Sequence, residues 1–215
     1  MIKISTSNKS INTEIHISGS KSLSNRLLMA RAISGLDLHF KNLSDSDDTI
    51  TMAKELGLVK GKTSSVIDVG HAGTDMRFLS AYLSGKIGEW TLTGSERMQQ
   101  RPIGELVNTL RKLGANITYL NKEGFPPLKI VGSKLNGGAV EIDGSVSSQF
   151  TTALLLIAPT LESGLTLQIK SESVSKPYIK MTIEVMNQFG VAVEQIGNVI
   201  KVPSAHYKKD GLDYY

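Results

Sequence analysis

Eight residues near the start of the chain, Gly19-Ser20-Lys21-Ser22-Leu23-Ser24-Asn25-Arg26, set two cations and three hydroxyls directly before the apolar run Leu27-Leu28-Met29-Ala30. Gly and Ser suit a turn, and Ser is a strong N-cap, so a helix is expected to begin here with its first N–H groups unpaired. Those donors, the positive end of the helix dipole and the Lys21 ammonium together make an anion site. Ser22 and Arg26 lie four residues apart on one helix face, which brings the guanidinium to the same ligand. An ordinary helix start would carry Asp or Glu rather than two cations. The segment therefore reads as a holder of phosphate or carboxylate. It is not a Walker A loop, because Ser stands at position 20 where that loop has Gly and no Gly stands at position 15.

Four later segments share this character. Gly70-His71-Ala72-Gly73-Thr74-Asp75-Met76-Arg77 opens a helix with glycines, and Gly73 allows a ligand to approach the backbone. Arg97-Met98-Gln99-Gln100-Arg101-Pro102 puts proline at an expected first helical position, with Arg101 at the helix start. Gly144-Ser145-Val146-Ser147-Ser148-Gln149 is a hydroxyl- and amide-rich cap before Phe150, and Ser173-Val174-Ser175-Lys176-Pro177-Tyr178 again sets proline behind serines. One such segment is an ordinary helix cap. Five in one chain, four of them with basic residues, are more than capping requires.

These loops must be held by a frame, and the chain supplies a repeating one. Helix, glycine and β-branched stretch follow one another at Met52–Gly57, at Leu106–Leu113 with Gly114, and at Ile183–Phe189 with Gly190. Apolar helices opened by Gly/Ser/Thr-rich loops interleave at Ser20–Ile33, Ala72–Leu83 and Ser147–Leu156. Short strands such as 65–69 and 139–142 lie between them. The expected architecture is an α/β (α+β) fold of three repeated supersecondary units. Residues 1–18 alternate polar and apolar and read as a strand pair. After Pro203 the chain turns polar and tyrosine-rich and stops without a closing element, which leads us to expect a portion of a longer protein.

Composition narrows the function classes. The chain has 215 residues, 40% apolar and 20% charged, which allows one large domain or two small ones with a real core. With no cysteine there is no disulfide, thiolate metal site or cysteine nucleophile, and a reducing compartment fits. The N-terminus lacks the apolar core of a signal peptide. The longest apolar run, Ala153–Ala158, is closed by Pro159 and is too short to cross a bilayer. A cytoplasmic protein without membrane contact is expected. The net charge of +4 suits an acidic partner. Lys and Arg are dispersed and aromatics make up 6%, so nucleic acid is not the expected partner. His16, His39, His71 and His206 lack metal-ligand spacing, and no metal is expected. Asp45-Ser46-Asp47-Asp48 lacks the glycine and distal glutamate of a calcium loop and reads as an acid-rich helix start.

Taken in order, Gly19–Arg26, Ala72-Gly73-Thr74, Arg101-Pro102-Ile103-Gly104, Gly144–Phe150 and Ser175-Lys176-Pro177-Tyr178 resemble the 5-enolpyruvylshikimate-3-phosphate synthase family across nearly the whole chain. The sister family acting on UDP-N-acetylglucosamine fits less well, having Asn after the first lysine and usually a reactive cysteine. The resemblance implies two similar domains, each of three βαβαββ units, closing on the substrates. Residues 1–18 would belong to the other domain, 19–210 would form a complete substrate-binding domain, and 211–215 would be the crossover linker. It also implies transfer of the enolpyruvyl group of phosphoenolpyruvate to the 5-hydroxyl of shikimate 3-phosphate, without cofactor, by a monomer. Lys21, Ser22, Arg26, Ser147, Ser148, Gln149, Ser175 and Tyr178 would hold shikimate 3-phosphate. Lys21, Gly73, Arg101 and Gln149 would contact phosphoenolpyruvate, with Lys21 the catalytic residue of this chain. The family's acidic pair would lie outside it, leaving this chain inactive alone. Two residues depart from the pattern: His71 stands where the family usually has Asn, and Asp75 where it has a small residue. The alternative is a non-catalytic anion- or nucleic-acid-binding module built from the same units.

Overall fold

The computed structural model describes residue 5, residues 12–171 and residues 175–208. Ser20 caps the first helix, its Oγ accepting from the N–H of Leu23 at 3.5 Å, and α1 runs Lys21–Ser34 until Gly35 turns left-handed at φ 67°. The acid-rich segment also starts a helix, α2 (Asp47–Val59), with Asp47 and Asp48 in its first turn. Gly57 is not its stop. The helix continues through it to Val59, with Lys60 as the C-cap, because Val59 is fully buried and the packing outweighs the propensity of one glycine.

Next come β1 (Ser64–Asp68), α3 (Gly73–Gly85), β2 (Gly88–Thr93), the short α4 (Glu96–Gln99), α5 (Gly104–Lys112), β3 (Asn116–Tyr119) and β4 (Leu128–Gly132). The remainder is β5 (Gly138–Ile142), α6 (Ser148–Ile157) extended by a 3-10 turn, β6 (Leu165–Ile169), α7 (Lys176–Gln188), β7 (Glu194–Ile196) and β8 (Val199–Val202). Two four-stranded sheets result, ordered β1-β2-β4-β3 and β5-β6-β8-β7. In each, the first pair is parallel and the other two are antiparallel. The βαβαββ unit thus occurs twice with identical pairing. Helices α1 and α2 stand outside these two units, and no third sheet accompanies them among the described residues.

The sheets alternate inward and outward side chains, as with buried Ile67 beside exposed Val66 in β1 and buried Trp90 and Leu92 in β2. Helices cover the inner faces. Every residue of α6 from Phe150 to Ile157 is buried, so this helix is central rather than amphipathic. It packs along α3, and α7 and α1 close over it. No helix of the described residues is long and apolar enough to cross a membrane.

Three boundaries differ from expectation. Residues 12–18 form no strand, and Ile15 and Ile17 stand 77% and 79% exposed with no neighbouring strand among the described residues. Pro102 precedes the helix rather than opening it, since Ile103 is the N-cap of α5. The stretch after Gly190 is extended only from Glu194. The polar end is anchored: Tyr207 is buried, donates from its hydroxyl to the Leu156 carbonyl at 2.8 Å and meets the Phe189 ring edge-on. The expected linker, 211–215, lies outside the described residues, as do Ser173 and Val174.

Candidate anion-binding site

Arg26 joins three helix beginnings. Its Nη1 donates to the Ser22 carbonyl of α1 at 2.7 Å. Nη2 reaches the Thr152 hydroxyl of α6 at 3.2 Å and the Tyr178 carbonyl of α7 at 3.1 Å, and Nε donates to Thr182 at 2.8 Å. The side chain is only 3% exposed, and its guanidinium lies near the Phe78 and Tyr178 rings. Burial lowers its pKa to about 10, and it stays charged at neutral pH. A guanidinium has five N–H groups, and these four bonds leave one, on Nη1, for a ligand. Ser22 and Tyr178 are thereby fixed against each other, one helical turn of α6 from Ser148.

Ser147 caps α6, its hydroxyl accepting from the Gln149 N–H at 3.2 Å. Ser175 starts α7 and receives the Tyr178 N–H on its carbonyl at 3.0 Å. None of α1, α6 and α7 has an acid in its first turn. Lys21, the first residue of α1, is half-exposed, with Nζ 3.5 Å from Oδ1 of Asp48. Before α6, the Asp143 carboxylate accepts from the Ser171 hydroxyl and from the Ser145 N–H and hydroxyl, which hold it below the usual carboxylate range.

A second lobe surrounds the start of α3. Gln149 Nε2 donates to the Thr74 hydroxyl at 3.3 Å, linking α6 to α3 beside Gly73. The Arg101 guanidinium lies directly on Gly73, so that a Cβ there would overlap its Nη1. Arg77 turns inward and does not line the site. It donates to the Gly73 carbonyl at 3.2 Å and the Pro102 carbonyl at 3.0 Å, and burial and the nearby Arg101 charge lower its pKa to about 10. His71, Arg97, Met98 and Arg101 bound a cleft of about 450 Å³.

Asp75 does not pair with Arg77. Its Oδ1 accepts from Asn25 Nδ2 at 3.1 Å, and Asn25 Oδ1 accepts from the Thr49 hydroxyl at 2.7 Å, which ties α3, α1 and α2 together. The carboxyl is fully buried, and Oδ2 has no hydrogen-bond partner among the described residues. Burial raises its pKa to about 9; Asp48 and Glu55 add to the rise and Lys21 opposes it. Asp75 is thus neutral at pH 7 and brings no negative charge to the second lobe.

This protonation sets a pH dependence. Between the ordinary value of 3.8 and about 9, folded Asp75 keeps a proton that the unfolded chain has released. The stabilisation is complete below the lower value and declines as pH rises towards the upper one, by up to about 1.4 kcal/mol per pH unit. Asp75→Asn keeps an acceptor for Asn25 and removes the ionisation. Its denaturant midpoint is expected to fall less between pH 6 and 9 than that of the unaltered protein; parallel declines would contradict the neutral assignment.

The structure brings Ser22, Arg26 and Tyr178 together, seats Arg101 on Gly73, and joins Gln149 to the second lobe. Sequence reasoning missed Asn25, Thr152 and Thr182, whose partners lie far along the chain. The one local signal was polar residues at helical positions that otherwise read as core.

Comparison with known proteins bears on this geometry. The sequence model of the family EPSP synthase (3-phosphoshikimate 1-carboxyvinyltransferase) matches residues 56–211. The chain is 51% identical over 182 residues to the 3-phosphoshikimate 1-carboxyvinyltransferase of Bacteroides fragilis strain YCH46, a match covering 85% of this chain and 43% of that protein. The protein of the same name from Pseudoalteromonas atlantica is 45% identical over 206 residues, covering 86% and 48%. The chain spans about half the length of the curated relatives it matches. The solved EPSP synthase of Acinetobacter baumannii superposes with a TM-score of 0.78 at 22% identity, over 90% of this chain and 47% of that one, a likeness of fold.

Proposed function

The chain belongs to the EPSP synthase family, and from that premise we propose that it supplies the shikimate 3-phosphate half-site of an enolpyruvyl transferase. The observation that carries this reading is the Arg26 network, which gathers the acid-free starts of α1, α6 and α7. In the proposed complex the phosphate of shikimate 3-phosphate meets the N-terminal N–H groups, the hydroxyls of Ser22, Ser147, Ser148 and Ser175, and the remaining Arg26 hydrogen. Tyr178 lies against the ring acid. Gln149 stands between the substrates, and Gly73, Arg101 and Lys21 face phosphoenolpyruvate.

In the proposed reaction the 5-hydroxyl of shikimate 3-phosphate attacks C2 of phosphoenolpyruvate and gives its proton to a base, while the methylene carbon takes a proton from an acid and becomes a methyl group. The bond from C2 to the phosphate oxygen then breaks and phosphate leaves as that methyl group gives a proton back, which restores the methylene and leaves the enol ether. Lys21 stabilises the anionic groups during both steps. No metal or organic cofactor enters this scheme. We also propose that residues 1–18 and 211–215 belong to, or lead into, a second domain that carries the acid–base carboxylates, and that the protein is a cytoplasmic monomer.

Shikimate 3-phosphate is expected to bind this chain saturably by calorimetry, without turnover, and to raise its melting temperature. At a hundredfold excess over the dissociation constant the gain is about 2.7 kcal/mol. An oligonucleotide is expected to give no protection. Protection by the oligonucleotide alone would favour a nucleic-acid-binding module instead.

A further inference from the structure

The cleft beside Gly73 contains a feature that the half-site reading does not use. Ser95 caps α4, its hydroxyl oxygen accepting from the Met98 N–H at 3.3 Å, and it lies 2.8 Å from Nδ1 of His71. A hydroxyl can donate or accept, so Ser95 engages Nδ1 in either tautomer and leaves Nε2 as the nitrogen it does not hold. His71 is exposed and lines the cleft, and among the described residues its Nε2 has no protein partner. Arg97 and Arg101 share the lining, and among the described residues neither makes a side-chain hydrogen bond or ion pair. Buried Arg77 stands behind them, donating to Sδ of Met98 at 3.4 Å. Three guanidinium groups with no carboxylate among these contacts concentrate positive potential in a recess of about 450 Å³.

We propose that His71 is a third donor, beside Arg97 and Arg101, to the phosphate group of phosphoenolpyruvate. A tetrahedral phosphate presents three terminal oxygens in different directions and suits donors from three separate residues, whereas a planar carboxylate is satisfied by one bidentate guanidinium. In this assignment Ser95 donates its hydroxyl hydrogen to Nδ1, which leaves the ring hydrogen on Nε2. This inference rests on the reading of Arg101 as a phosphoenolpyruvate contact.

Titrating the ¹⁵N-histidine-labelled chain with phosphoenolpyruvate, followed by NMR, tests it. The His71 Nε2 resonance is expected to move saturably with phosphoenolpyruvate and to stay in place with pyruvate, which lacks the phosphate. His71→Phe keeps a ring and removes the donor; it is expected to weaken phosphoenolpyruvate binding roughly fivefold and to leave shikimate 3-phosphate affinity unchanged. Arg101→Ala is the comparator. If Arg101→Ala loses binding while His71→Phe binds like the unaltered chain, the His71 role is overturned and the Arg101 reading stands. If phosphoenolpyruvate does not bind, or binds all three proteins equally, both fail. An equal response of Nε2 to pyruvate would overturn the assignment to phosphate.

Discussion

Arg26→Ala is expected to lower the stability of the chain by about 3 kcal/mol, with a melting temperature roughly 6–12 °C lower. The side chain is buried, and its four hydrogen bonds reach α1, α6 and α7. The Ser22 and Tyr178 carbonyls keep other acceptor roles within their helices, so they are not orphaned. The cost comes from the charged bonds, from the hydroxyls of Thr152 and Thr182, and from the void between Phe78 and Tyr178. Shikimate 3-phosphate affinity is expected to fall at least roughly tenfold, because Ser22 and Tyr178 lose their common tie. Arg26→Lys restores little, since one ammonium cannot reproduce a planar fork aimed at three helices. Thermal melts and calorimetry check this; an alanine variant with unchanged melting temperature and affinity would refute the proposed tie.

Gly73→Ala separates binding from folding. Position 73 is the first residue of α3, where alanine suits the backbone, and the atoms that a Cβ would meet are the flexible end of Arg101. Stability is expected to change by less than about 1 kcal/mol. The guanidinium, however, must leave its seat, and phosphoenolpyruvate binding is expected to weaken roughly tenfold, the scale of one charge-assisted hydrogen bond. Shikimate 3-phosphate binding, which does not depend on that seat, is expected to persist. Retained phosphoenolpyruvate affinity in a normally folded variant would show that Arg101 acts from another position.

The helix starts were legible because their signals are local. Ser20 and Ser147 cap as their types require, Asp47 and Asp48 sit in the first turn of α2, and Gly114 and Gly190 follow α5 and α7 with positive φ. Strand pairing was less legible: β2, β4, β6 and β8 take their places through partners tens of residues away. Residues 12–18 show the same limit from the other side, since alternation alone does not say which edge a strand would pair with. Within the site, chemistry-bearing residues could be named but not given directions. Arg26 and Arg77 look alike in sequence, as basic residues one turn into a helix. The fold turns Arg77 wholly inward and leaves Arg26 at most one outward hydrogen. Asp75 reads as a charge until its surroundings show it to be neutral. Such facts depend on what lies opposite, which no window along the chain contains.

The bond from Gln149 to Thr74 has an energetic corollary. It is a side-chain hydrogen bond between α6, which faces one proposed substrate, and α3, which faces the other. A ligand that draws the start of α6 towards itself must also displace or stiffen the turn bearing Gly73. Any such coupling is reciprocal by thermodynamic necessity: the factor by which the first substrate tightens the second equals the factor by which the second tightens the first. Cooperativity between the two ligands would then reside within this chain itself and would need no movement beyond it.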